Sequence, residues 1–170
     1  MSIHNFYPFI NIRRNHGLEH ATIHMLSRKY PNLSMVGRSD LHGFTLYGNV
    51  KTDDVTHATS EALQRMKNGE KNLAVHSRCG TVLATTGILT GLATFLSISM
   101  TGNPNRRFRW AALPEAILAA TFAAVVAQPL GLAIQARYTV TADVEKVNIV
   151  SITRNEKRGL TTHRITTTQS

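Results

Sequence analysis

"GTVLATTGILTGLATFLSISM", residues 80–100, holds no Asp, Glu, Lys or Arg, and the charge-free interval around it runs from Arg78 to Arg106. A helix needs about 20 apolar residues to cross a hydrocarbon layer of roughly 30 Å. A second block, "WAALPEAILAATFAAVVAQPLGLAIQA" at 110–136, carries only Glu115 before charge resumes at Arg137. Both blocks therefore read as membrane-spanning helices, over about 80–101 and 110–135. Burying them in a soluble bundle would require partners to cover two helices that are apolar all round, and the remaining polar segments are too small for that. Gly102, Asn103 and Pro104 in the intervening "TGNPNRRFR" are turn formers, so the spans make an antiparallel hairpin. Gly87 and Gly91 form a G-x-x-x-G pair that permits close approach, with Ala119, Ala120, Ala123 and Ala124 able to face it. Packing within one molecule is the expected use of that pair.

Working outward, the chain of 170 residues divides into a polar portion at 1–78, the hairpin at 79–136 and a strand-rich segment at 137–170. The first span begins far from the N-terminus, and "MSIHNFYPFINIRRNHG" contains no uninterrupted apolar run, which argues against a cleaved secretory leader. The formal charge of +9 comes without a basic stripe interleaved with aromatics and without zinc-finger spacing, so no nucleic-acid partner is expected. The basic residues suit lipid headgroups and topology instead. The connecting loop offers Arg106, Arg107 and Arg109; the side of the termini offers Lys67, Lys71, Arg78, Arg137, Lys146 and Arg154. That imbalance predicts a protein integral to the cytoplasmic membrane with both termini in the cytoplasm. A single cysteine, Cys79, excludes an intrachain disulfide framework.

The polar portion reads helix, strand, strand, helix. A helix is expected from near Asn11–Asn15 to Lys29, where Pro31 ends it. "LSMVG" is a strand candidate, "RSDLHG" a turn, and "FTLYGNV" alternates Phe44, Leu46, Gly48 and Val50 against Thr45, Tyr47 and Asn49, the period of a half-buried strand. "TDDVTHATSEALQRMKNG" reads as an amphipathic helix with Thr52 as N-cap, Asp53 and Asp54 in its first turn and Gly69 at its C-terminal cap. Its apolar stripe is Val55, Ala58, Ala62, Leu63 and Met66. After the hairpin, "YTVTADVEKVNIVSITR" and "LTTHRITTTQS" predict two or three strands that join the N-terminal pair, with disorder over the last few residues. The fold class is thus an α+β membrane protein.

The chemistry lies in "HGLEH", residues 16–20. On a helix His16 and His20 project about 40° apart and one turn apart, so both imidazoles can reach one metal ion. H-x-x-E-H is the inverted zinc-protease pattern, in which the glutamate, here Glu19, serves as general base on metal-bound water. Leu18, Ala21 and Met25 form an apolar stripe on the opposite side, which leaves the histidines on a face where a solvated helix would carry lysines and glutamates. His24 lies about 12 Å from His16 along the axis, too far to share its ion. "HSRCGT", with His76 and Cys79 three residues apart just before the first span, offers an imidazole and a thiolate to complete a tetrahedron. Three fixed residues are a short pattern, and the same histidines also suit a polar helix packed in a core.

These two segments together resemble the bacterial membrane families typified by YqhQ, which are described as predicted metal-dependent enzymes. The matching positions are His16, Gly17, Glu19 and His20, then His76, Cys79, Gly80 and Thr81. The resemblance covers the N-terminal portion and the first span, about half the chain, and the membrane helices of the YqhQ type are arranged differently. It implies metal binding and brings no substrate.

The leading expectation is a membrane-anchored hydrolase of peptidase or amidase type. Its zinc, or another divalent ion, would be held by His16, His20 and His76 or Cys79, with Glu19 as base, at the membrane surface. Its substrate would be a lipid, a lipidated peptide or a juxtamembrane segment of a membrane protein. The alternative is a non-catalytic assembly or adaptor subunit with a membrane-protein or peptide partner, in which all four ligands close the coordination sphere. A protein without metal, its histidines hydrogen-bonded in the core, is the third reading. Transport is least supported, because the spans hold no paired ionisable groups.

Overall fold

The computed structural model describes residues 7–100, 110–157 and 159–170. They form two units, one of residues up to 76 with 136–170, the other of residues 77–135. The expected turn at Gly102–Pro104 and the arginines of that loop lie outside the described residues.

In the first unit the order is α1 (Tyr7–Lys29), β1 (Val36–Asp40), β2 (Gly43–Tyr47), α2 (Thr52–Lys67), β3 (Val147–Lys157) and β4 (Leu160–Gln169). The strands make one antiparallel sheet in the order β1-β2-β4-β3. The expected union of N- and C-terminal strands is therefore direct, with Phe44 opposite Ile165 and Leu46 opposite His163. On β4 the inward residues alternate. Thr167 meets Asn15 of α1 and His163 meets Thr52 of α2, so both helices cover the same face of the sheet. Between them lies the core: Leu18, Ala21, Met25 and Leu26 of α1, Val55, Ala58, Ala62 and Met66 of α2, Phe44, Leu46, Val147 and Ile165 of the sheet. The far face is polar. Arg164 forks onto Asp40 at 2.6 and 2.8 Å, and that guanidinium holds the Asp40 carboxyl below its ordinary value.

Several boundaries differ from the sequence reading. Helix α1 is already formed at Tyr7, the first described residue, ahead of the expected start near Asn11–Asn15. Strand β1 covers "VGRSD" rather than "LSMVG", and only Leu41 and His42 turn. An edge strand exposed or half-exposed along its length tolerates polar residues, so hydrophobicity does not mark it. Lys51, not Thr52, is the N-cap of α2, and the Thr52 hydroxyl is taken by His163 Nε2 at 3.2 Å. The C-terminal cap is as expected: Gly69, at φ +98°, donates to Met66 O and Glu70 donates to Arg65 O. The chain end is an ordered strand, β4 reaching Gln169 with Ser170 N bonded to Lys146 O.

The second unit pairs α3 (Gly80–Met100) with α4 (Leu113–Ile134). Both are long and apolar enough to cross a membrane, and only 6% and 11% of their most apolar windows are buried, whereas a soluble core helix would be largely covered. Thr85, Thr86, Thr90 and Thr94 each donate to the carbonyl four residues back, at 2.8–2.9 Å, so their hydroxyls need no water. The close approach of the two helices is not at Gly87 and Gly91, where an added Cβ would meet nothing within 4 Å. It is at Gly131, where a Cβ would come within 2.9 Å of the Val82 backbone.

Candidate metal centre

Each fixed residue of "HGLEH" is locked by a different piece of the first unit. The His16 Nδ1 lies 3.0 Å from the Thr139 carbonyl and the His20 Nδ1 lies 2.8 Å from the Ala74 carbonyl. A carbonyl only accepts, so both Nδ1 atoms carry the proton and both Nε2 atoms carry the lone pair. This is how metal-binding histidines are held ready, by a main-chain oxygen behind the ring. The rings stand 4.4 Å apart at 66°, and each offers a nitrogen within 4.8 Å of the other's. Two nitrogens on one zinc are about 3.3 Å apart at Zn–N distances of roughly 2.05 Å. His20 is buried and His16 half-buried.

His76, half-buried, brings its ring centroid to 6.0 Å from that of His20. The structure thus gathers His16, His20 and His76 in one unit. Cys79, a buried thiol, belongs to the other unit but follows His76 by only three residues, about 11 Å of extended chain at most. His24 is exposed.

Glu19 packs against β1. It is buried, its carboxylate accepts the Ser39 hydroxyl of β1, and Gly37 lies against it so closely that any Cβ there would overlap the carboxylate. The sequence reading missed Ser39 and Gly37 because β1 itself was displaced. It also missed the segment 137–144, which lies along the start of α1. Thr141 N donates to Arg13 O at 3.1 Å, and Arg14 pairs with Asp143 at 2.7 Å. Arg13 Nη2 donates to the Val140 and Arg137 carbonyls, each at 3.0 Å. A Cβ on Gly17 would run into the Thr141 carbonyl oxygen, which explains a glycine in mid-helix despite a cost of about 1 kcal/mol relative to alanine.

A further histidine, His163, carries no site signal in the sequence beyond its place in a strand. It is fully buried, with Nε2 on Thr52 and with Nδ1 lacking a hydrogen-bond partner. Burial, and then the charge of Arg154, push its pKa below the ordinary value. Its stabilising contribution is therefore complete above the unfolded pKa of about 6.5 and is lost as pH falls below it. Thermal unfolding of metal-free protein should show the midpoint falling between about pH 7.5 and 5.5, with a smaller fall in His163→Leu. Equal falls in the two proteins would show that His163 does not carry this acid sensitivity.

No solved structure matches the chain. It is 41% identical over 92 residues to an uncharacterized protein of Picosynechococcus sp., an alignment covering 48% of this chain and 45% of that protein, so the match spans about half the length of the relative. A family model described as a domain of unknown function, DUF6391, matches residues 11–152, a stretch that takes in α1 with "HGLEH", "HSRCGT", both apolar helices and the segment 137–144, and the chain belongs to that family.

Proposed function

We propose that this protein is anchored in a membrane by α3 and α4 and holds a divalent metal, zinc by donor chemistry, on His16 and His20 together with His76, Cys79 or both. The observation that carries the reading is the pair of Nδ1 to carbonyl bonds, which present two Nε2 lone pairs one helical turn apart. The similarity of "HGLEH" and "HSRCGT" to the YqhQ-type families supports the same chemistry. Because His76 and Cys79 adjoin α3 in sequence, the metal sits near the membrane surface, on what the arginine and lysine balance makes the cytoplasmic side.

The setting of Glu19 favours a structural metal over a hydrolytic one. A general base must reach the metal-bound water, and this carboxylate is buried beneath Gly37 and engaged by Ser39. The metal then rigidifies the α+β unit around α1, as suits an assembly or adaptor subunit with a membrane-protein or peptide partner. The hydrolase remains the second reading, favoured by the H-x-x-E-H spacing alone.

Glu19→Gln separates the two. A structural role predicts full zinc content, no turnover of peptide or ester substrates by either protein, and a loss of about 1 kcal/mol in stability as a charge-assisted bond to Ser39 becomes a neutral one. Turnover by the wild type that vanishes in Glu19→Gln at unchanged zinc content would establish the hydrolase instead.

A further inference from the structure

We propose that Arg13 is a positioning residue for His16, acting through the chain segment that follows α4. The tautomer of His16 is set by the Thr139 carbonyl, and that carbonyl belongs to the π-helical turn Gln135–Thr139 that continues α4. Arg13, three residues ahead of His16 on the same helix, bonds to the main chain on both sides of it. Its guanidinium bridges two main-chain carbonyls, Arg137 and Val140, that flank Thr139 on either side. The Arg13 Nε adds a longer bond to Val140 at 3.3 Å. The Arg13 carbonyl in turn accepts the amide of Thr141. One side chain therefore bonds two residues before Thr139 and one residue after it, and the Thr139 oxygen meets the imidazole one turn along α1.

His20 provides a built-in contrast. Its Nδ1 is held by Ala74, in the 3-10 turn Lys71–Ala74 that follows α2, and Arg13 has no bond to that turn among those described. Loosening the Arg13 clamp should release one histidine and leave the other in place. A planar fork with several donors can bridge two carbonyls; an ammonium on a flexible stem cannot hold the same geometry. Arg13→Lys keeps the charge and should behave like Arg13→Gln.

The affinity arm of this proposal rests on the metal reading above, whereas the tautomer arm does not. Nitrogen-15 spectra of the imidazoles, recorded on metal-free full-length protein in detergent, should show both His16 and His20 with the proton on Nδ1. In Arg13→Gln and Arg13→Lys, His16 should shift to a mixture with Nε2–H while His20 stays as it was, and zinc affinity should fall about 10-fold or more. Unchanged His16 signals with unchanged zinc affinity would overturn the proposal. So would equal changes at His16 and His20, which would make Arg13 a support of the whole fold. If the wild type shows the Nδ1–H tautomers and the selective response of His16 but binds no zinc, the positioning role stands and the metal reading fails.

Discussion

Gly17→Ala is expected to destabilise the protein by about 2 kcal/mol, although alanine is the better helix former by about 1 kcal/mol. Propensity and packing pull in opposite directions here, so the sign of the effect is informative. The new methyl group would meet the Thr141 carbonyl oxygen, a main-chain atom bonded into a segment that Arg13 and Arg14 also hold. Relief requires that segment to move away from α1, and Thr139, two residues before Thr141, moves with it. His16 then loses its anchor, and zinc affinity should fall about 10-fold or more along with stability. Thermal unfolding and zinc titration in detergent check both effects. A rise in stability would mean that the contact of α1 with this segment is not made.

His20→Ala should have the largest effect on metal. It removes a proposed ligand and also leaves the buried carbonyl of Ala74 without its donor, at a cost of about 1–3 kcal/mol that metal-free protein should already show. In the wild type, zinc at 100 times its dissociation constant adds about 2.7 kcal/mol of stability; in His20→Ala that increment should disappear. Two separate losses, one with metal and one without, distinguish a ligating histidine from one that only fills the core. Loss of the metal-free term alone would leave a hydrogen-bonded core histidine.

How much of this was legible in the sequence follows from which interactions are local. The spans are marked by composition over some twenty residues, and α2 by a 3.6-residue stripe that Val55, Ala58, Ala62 and Met66 bury as expected. Strand β2 alternates cleanly, with Phe44 and Leu46 buried and Thr45 and Tyr47 half-buried. Strand β1 escaped because it lies at the sheet edge, where Arg38, Ser39 and Asp40 are as acceptable as Val36. His163 escaped because threonines occupy both faces of β4, so alternation there says nothing about which face is buried. The two spaced histidines, the glutamate and the later histidine of the candidate site were visible as a pattern. What fixes each of them was not. The carbonyls of Ala74 and Thr139 and the glycine opposite Glu19 come from segments 18 to 123 residues away, Arg13 engages a segment 127 residues from itself, and a carbonyl carries no side-chain signature. The direction of Glu19 depends on β1 and so was lost with it. The G-x-x-x-G pair misled for the opposite reason: small residues recur in apolar helices, and only packing shows that Gly131 is the one another backbone approaches.

Metal bound to His16 and His20 is read directly from the metal content of detergent-purified protein, measured by mass spectrometry after zinc resupply without chelator. The measurement compares the wild type with His20→Ala, His76→Ala and Cys79→Ser. The expected result is about one zinc per chain in the wild type, its loss in His20→Ala, and its loss in at least one of the other two. A wild type that retains no divalent metal would contradict it, leaving His16 and His20 as hydrogen-bonded residues of a membrane-anchored interaction protein.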